Sequence, residues 1–149
     1  MEGFIIRGEG GLISLSFEKV FGFPETTSYL GGYDLQASIT IKSSCFEVKS
    51  TMYTSTGEIY LFFDQLKNCN ERLDGTAKFA SYEGDLEFLA AFDHATGHVS
   101  IKGFFTEHEF SNCLNFEFSS DQTFMTTTIK ELQILFQKYG DVKGLSLNR

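Results

Sequence analysis

At 149 residues the chain has the length of one domain, and 42% hydrophobic against 21% charged residues is the balance of a globular chain, not a disordered one. The net charge is −8, and the 12 basic residues are scattered singly, which argues against a nucleic-acid or anionic-membrane ligand. The apolar content is skewed to 17 Phe and 6 Tyr with a single Pro, a composition that favours ordered sheet.

The chain opens with strands. Phe4-Ile5-Ile6 and Leu12 to Phe17 flank Gly8-Glu9-Gly10-Gly11, which predicts a hairpin with positive-φ residues at its tip. Residues 21–33 read as a Gly/Ser/Thr-rich loop holding Pro24. Ala37, Ile39 and Ile41 alternate with polar residues, and so do Phe46, Val48 and Met52 after Ser43-Ser44, which predicts two half-buried antiparallel strands.

The period then changes. Ile59, Phe62, Phe63, Leu66 and Cys69 form one stripe of a helix over about 56–70, with Ser55 and Glu58 at capping-box spacing. Strands are expected at 76–82, 86–92, 99–105 and 114–118, with Asp93 to Gly97 as a turn. A second helix over about 121–139 carries Met125, Ile129, Leu132, Phe136 and Tyr139 on one face. It has a capping-box spacing at Ser119 to Gln122 and a stop at Gly140. Residues 141–149 read as a loose tail. Strands, helix, strands, helix without βαβ alternation predict a single α+β domain with a largely antiparallel sheet. No internal repeat is visible.

Chemistry-bearing motifs are sparse. Gly8 to Gly11 precedes a strand, whereas a phosphate loop needs a helix there. His94, His98 and His108 lack further metal-ligand spacing, and Cys45, Cys69 and Cys113 are odd in number with no Cys-x-x-Cys, so neither a metal nor a disulfide framework is expected. Cys45 reads as a strand residue, Cys69 as part of the apolar helix stripe and Cys113 as a strand-edge residue. No Gly-x-Ser-x-Gly elbow occurs. No catalytic residue and no cofactor are therefore expected. The N-terminus lacks the basic start and apolar run of a signal peptide, and no stretch is long enough to span a bilayer, so the expected location is cytoplasmic.

Charge placement is more informative. Between Tyr82 and Thr123 eight acidic residues face one base, Lys102, so this segment holds −7 of the net −8. Glu83, Asp85 and Glu87 alternate with Gly84 and Leu86, a spacing that on a strand aligns three carboxylates opposite the Leu86/Phe88 face. Such a row is either a solvated sheet face or a docking surface for a basic protein. Glu107 and Glu109 extend the candidate surface, with His108 between them.

The order of several stretches resembles the WapI-like bacterial immunity proteins. They are Gly32-Tyr33-Asp34-Leu35, Thr56 to Leu66, Leu73 to Phe79, Tyr82-Glu83-Gly84-Asp85-Leu86, Thr96 to Gly103, and Leu114-Asn115-Phe116-Glu117-Phe118 running into Asp121-Gln122-Thr123. The resemblance covers about residues 33–139 and departs from the family at Gln36-Ala37, where an Asn-Trp type of pair is expected. It implies a non-enzymatic antitoxin whose partner is the toxic domain of a contact-delivered toxin, commonly a nuclease with a basic cleft. A partner-binding surface at Glu83, Asp85, Glu87, Glu107 and Glu109 fits that implication. A small-ligand-binding or enzymatic α+β domain, and a scaffold or oligomerisation module, are the other classes the residues allow.

Overall fold

The computed structural model describes residues 2–107 and 111–144. Strands β1 (Gly3–Gly8), β2 (Gly11–Val20), β3 (Asp34–Ser43) and β4 (Phe46–Ser55) lead into helix α1 (Thr56–Arg72). Strands β5 (Gly75–Ala80), β6 (Leu86–Phe92), β7 (His98–Thr106) and β8 (Cys113–Asp121) lead into helix α2 (Gln122–Tyr139). Each group of strands is an antiparallel meander, β1-β2-β3-β4 and β5-β6-β7-β8. The α+β class, the antiparallel pairing and both helices agree with the sequence reading. The plan is one ββββα unit used twice, a repetition carried by topology and not by residue identity.

Local chemistry explains the boundaries. Gly10 takes φ 69° at the tip of the first hairpin, as its glycine run predicts. Helix α1 starts on a full capping box: Ser55 Oγ accepts from the Glu58 amide at 3.1 Å, and the Glu58 carboxylate accepts from the Ser55 amide. Leu73 ends α1 in the left-handed region at φ 53°. The cap of α2 is Asp121, whose carboxylate accepts from the Phe124 amide at 2.8 Å. The Ser119 capping box expected from spacing does not form, because Ser119 and Ser120 still belong to β8. Cys45 likewise sits exposed in the β3–β4 turn and not in a strand.

Each helix covers a sheet edge that belongs to the other unit. Helix α1 packs on β5, and α2 packs on β1. The buried stripes are those read from the period: Ile59, Phe62, Phe63, Leu66 and Cys69 on α1, and Met125, Ile129, Leu132, Phe136 and Tyr139 on α2. An edge strand exposes unpaired amides, and the helices supply partners for them. Gln65 Oε1 accepts from the Lys78 amide on β5 at 3.0 Å. Glu131 Oε1 accepts from the Ile5 amide on β1 at 3.0 Å, while Thr128 Oγ1 donates to the Ile5 carbonyl at 2.6 Å. With N-cap Ser55 placed over N-cap Asp121, Gln65 falls on Glu131, so the two latches occupy the same helix position. One amide bond, from Glu9 to the Ser119 carbonyl at 2.8 Å, bridges the two sheets directly.

Candidate functional site

The acidic row predicted at Glu83, Asp85 and Glu87 is broken up by the fold. Gly84 takes φ 77°, a conformation outside the extended region, so residues 82–85 form a turn and β6 begins only at Leu86. Asp85 points inward and is buried, and its carboxylate accepts from Ser81 Oγ at 2.5 Å. Ser81 Oγ in turn accepts from the Leu86 amide at 3.2 Å, so this carboxylate braces the turn and faces no solvent. Glu87 does lie on the outer face, but it pairs with Lys78 at 3.0 Å, across the β5–β6 ladder. Glu83 stands exposed at the turn, and Glu107 stands exposed just past β7. The Thr106 amide donates to the Asp85 carbonyl at 2.8 Å, which sets the Glu107 segment beside the Glu83 turn. Glu109 and His108 lie outside the described residues.

A second set of residues gathers at the same turn, and sequence reading did not assign it. Phe21, Tyr29 and Leu30 from the β2–β3 loop, Asp34 and Leu35 from β3, Tyr53 and Thr54 from β4, and Tyr82 with Glu83 line a groove of about 350 Å³. Tyr29 is 93% exposed, Tyr82 52%, Tyr53 46% and Phe21 38%, so the lining is aromatic surface that the fold itself leaves uncovered. Among the described residues no Lys, Arg or His lines it. Lys19 reaches the Phe21 ring, its ammonium 5.1 Å from the ring centre.

Both walls are held rigidly. The Ser28 amide donates to the Gly32 carbonyl at 2.7 Å and the Leu30 amide to Ser28 Oγ at 3.1 Å, fixing the loop that presents Tyr29. That loop docks on the start of α1: the Tyr33 amide donates to Thr56 Oγ1 at 2.8 Å, and the Gly57 amide donates to the Gly31 carbonyl at 3.2 Å. A side chain at Gly57 would strike the Gly31 backbone, which is why glycine stands there. On the opposite wall the Tyr82 amide donates to the Glu58 carboxylate, which also accepts from Thr54 Oγ1 at 3.0 Å. Burial pushes the Glu58 carboxyl above its ordinary value, against the pull of these donors, and nearby Asp85 adds to the rise. The Tyr82 phenol is also raised, first by lost hydration and then by Glu83, which accepts its hydrogen bond at 3.2 Å, with Asp34 and Tyr29 contributing.

Other candidates stay apart. His94 and His98 are exposed around the β6–β7 turn, Cys69 is buried on α1, and Cys45 and Cys113 are exposed. Among the described residues no three His, Cys, Asp or Glu side chains gather closely enough to hold a metal ion, and no helix is long and apolar enough to cross a membrane.

Fold and surface together define a two-sheet α+β protein with a braced, concave patch of aromatic and acidic side chains. A profile of the family described as "Immunity protein WapI-like family" matches residues 4–140, and the chain belongs to that family. No curated protein matches the sequence. Among solved structures the chain is similar to one described as "Structure of the plant transcriptional regulator PBF-2". The TM-score is 0.50 at 10% identity, with 91% of this chain and 80% of that chain covered. At that identity the likeness speaks to the fold alone.

Proposed function

We propose that this protein is a non-enzymatic immunity protein that binds the toxic domain of a contact-delivered toxin, a basic nuclease domain, through an acidic surface. Membership of the immunity family over residues 4–140 is the observation that carries the reading. The net charge of −8 supports it, since a strongly acidic protein associates quickly with a basic cleft and with few wrong partners. Within the acidic segment Glu83 and Glu107 are exposed carboxylates on neighbouring stretches of backbone and form the steering edge. Glu87 contributes less because Lys78 offsets it, and Asp85 acts as the brace of the turn. Glu109 enters the proposal from the sequence alone, two residues after Glu107.

The test takes the reading frame immediately upstream of this gene, which this reading expects to encode the cognate toxin, and measures protection from its C-terminal domain. Co-expression should restore growth, and the purified pair should associate more slowly as salt rises, with little change in dissociation. Changing Glu83 and Glu107 together to Lys should lower the low-salt on-rate by about 10-fold, within the range that steering supplies. Failure of the wild-type protein to bind or protect would refute the function. Binding with a salt-independent on-rate would refute the acidic steering.

A further inference from the structure

The steering charges leave open where the partner's side chains are gripped. We propose that the groove between Tyr29, Tyr53 and Tyr82 is the contact centre for the toxin domain, and that it receives an arginine-bearing segment of that basic partner. The proposal rests on the immunity reading given above and adds the residues and the chemistry of recognition.

Three observations carry it. Stable protein–protein contacts concentrate their energy in a few aromatic and arginine side chains, and four aromatic rings are left partly or almost wholly bare around one concavity here. Among the described residues the other large exposed apolar groups, Phe46, Leu61, Leu89 and Ile134, are spread over β4, α1, β6 and α2, and no two of them line one concavity. The patch is also chemically selective. Asp34 and Glu83 line it without any lining Lys, Arg or His, and tyrosine faces attract a guanidinium plane while carboxylates take its forked donors. Lys19 over the Phe21 ring shows a cation already resting on an aromatic face at the rim. An acidic partner would meet two carboxylates, and a purely apolar one would bury them unpaired.

The third observation is the internal repeat. With Phe4-Ile5-Ile6 placed over Ala77-Lys78-Phe79, Glu9 falls on Tyr82; with the two helix caps aligned, Ser119 falls on Tyr53. At one junction between the two units these positions close on each other through the Glu9–Ser119 backbone bridge. At the equivalent junction they carry Tyr53 and Tyr82, which open a groove. The enlarged β2–β3 loop, braced on α1, then adds Tyr29 and Phe21 to the mouth. The backbone that carries the rings is thus braced before binding, which lowers the ordering cost of association.

The experiment measures binding kinetics of the upstream-encoded toxin domain, in a catalytically inert form, against the intact immunity protein and its variants. Tyr29→Ala is the first variant, because so exposed a side chain holds nothing of the fold together; Tyr53→Ala with Tyr82→Ala is the second. Asp34→Asn with Glu83→Gln removes only the charges. Each should raise Kd at least 10-fold, the tyrosine changes mainly through faster dissociation, while Leu61→Ala and Ile134→Ala should leave Kd within about 2-fold. Thermal melts confirm that every variant is folded. If the wild type binds and all three groove variants lose less than 5-fold, the groove is not the contact centre, although the immunity function stands. If the wild type binds no upstream toxin domain, both fall together.

Discussion

The first ββββα unit and the second build the same frame and diverge at three helix positions. With the caps aligned, Phe62 of α1 answers to Thr128 of α2, Gly57 to Thr123, and Glu58 to Phe124. Phe62 is a fully buried ring packed edge-to-face on Phe79 and Phe88, at centroid distances of 6.3 and 5.1 Å. Thr128 is equally buried but spends its contact on the Ile5 carbonyl. The second sheet is therefore gripped by aromatic packing and the first by hydrogen bonds to its edge. Gly57 and Glu58 have no equivalent role on α2, where Thr123 is exposed and the first turn holds no acid. They serve the loop and the turn that wall the groove. The shared positions keep the fold closed, and the divergent ones prepare one end of it for another molecule.

The comparison breaks first at the helix centres. Phe62→Ala should cost about 3–5 kcal/mol, because truncating a fully buried aromatic loses transfer energy and leaves a cavity. Thr128→Val keeps the volume and loses one buried hydrogen bond, for about 1–3 kcal/mol. Denaturant midpoints measure both, and equal losses would deny that the two sheets are held differently. Next comes Gly57→Ala. The added Cβ would lie 2.4 Å from the Gly31 carbonyl, so backbone must move, at roughly 1–3 kcal/mol. Thr123→Ala at the equivalent exposed position should stay within about 0.5 kcal/mol.

The frame was legible in the sequence because it is built from local signals. Period-2 alternation marked β2 to β8, the Phe4-Ile5-Ile6 run beside a glycine turn marked β1, the 3.6 stripes marked both helices, and Ser55 with Glu58 marked a cap that forms as spacing predicts. The misplaced acidic row has one physical source. Extending the β6 alternation back to Glu83 ignored Gly84, whose left-handed conformation makes Ser81 to Asp85 a turn and sends Asp85 inward. Small and polar residues flanking that glycine were the available signal. The groove was invisible for a different reason: Phe21, Tyr29, Asp34, Tyr53 and Tyr82 meet only after two sheets fold together, and no spacing rule links them. Aromatic residues in a loop without apolar period, Phe21 and Tyr29, were the trace. The repeat also escaped notice, since residues such as Phe62 and Thr128 solve one packing position with different chemistry.

The edge latches give a smaller contrast. Glu131→Ala removes the partner of the Ile5 amide and frees Arg7, whose guanidinium meets Glu131 at 2.8 Å with both side chains about a third exposed. Solvent screening keeps the ionic part small, so the expected loss is about 1–2 kcal/mol. Gln65→Ala leaves the Lys78 amide open to water and should cost about 0.5 kcal/mol. Hydrogen exchange at the Ile5 and Lys78 amides resolves the two latches separately: each variant should speed exchange at its own strand only. Exchange unchanged in both would show the edges to be protected by packing alone.

The smallest effect is the dependence on pH that Glu58 confers on the first unit alone. Its carboxyl is raised above the ordinary 4.5, chiefly by burial, so the folded protein holds this proton more tightly than the unfolded chain does. Protons bound in excess by the native state make unfolding free energy fall as pH rises, through the window from the ordinary value up to the raised one. Below that window the group is protonated in both states, and its penalty is absent; above it the charge stays buried at a constant cost. Glu58→Gln keeps an oxygen for the Thr54 hydroxyl and the Tyr82 amide but removes the charge. The stability of this variant relative to wild type should therefore increase as pH rises from 4.5 through that window and then level off. Taking the difference cancels groups such as Glu2, whose carboxyl is pushed up by burial but drawn lower overall by its bonds to Tyr139 and Lys138, and whose contribution has the opposite sign. Urea midpoints across that range provide the measurement. A difference that does not change with pH would mean that the Ser55, Thr54 and Tyr82 donors fully offset burial, and that the wall carrying Tyr82 is braced without electrostatic cost.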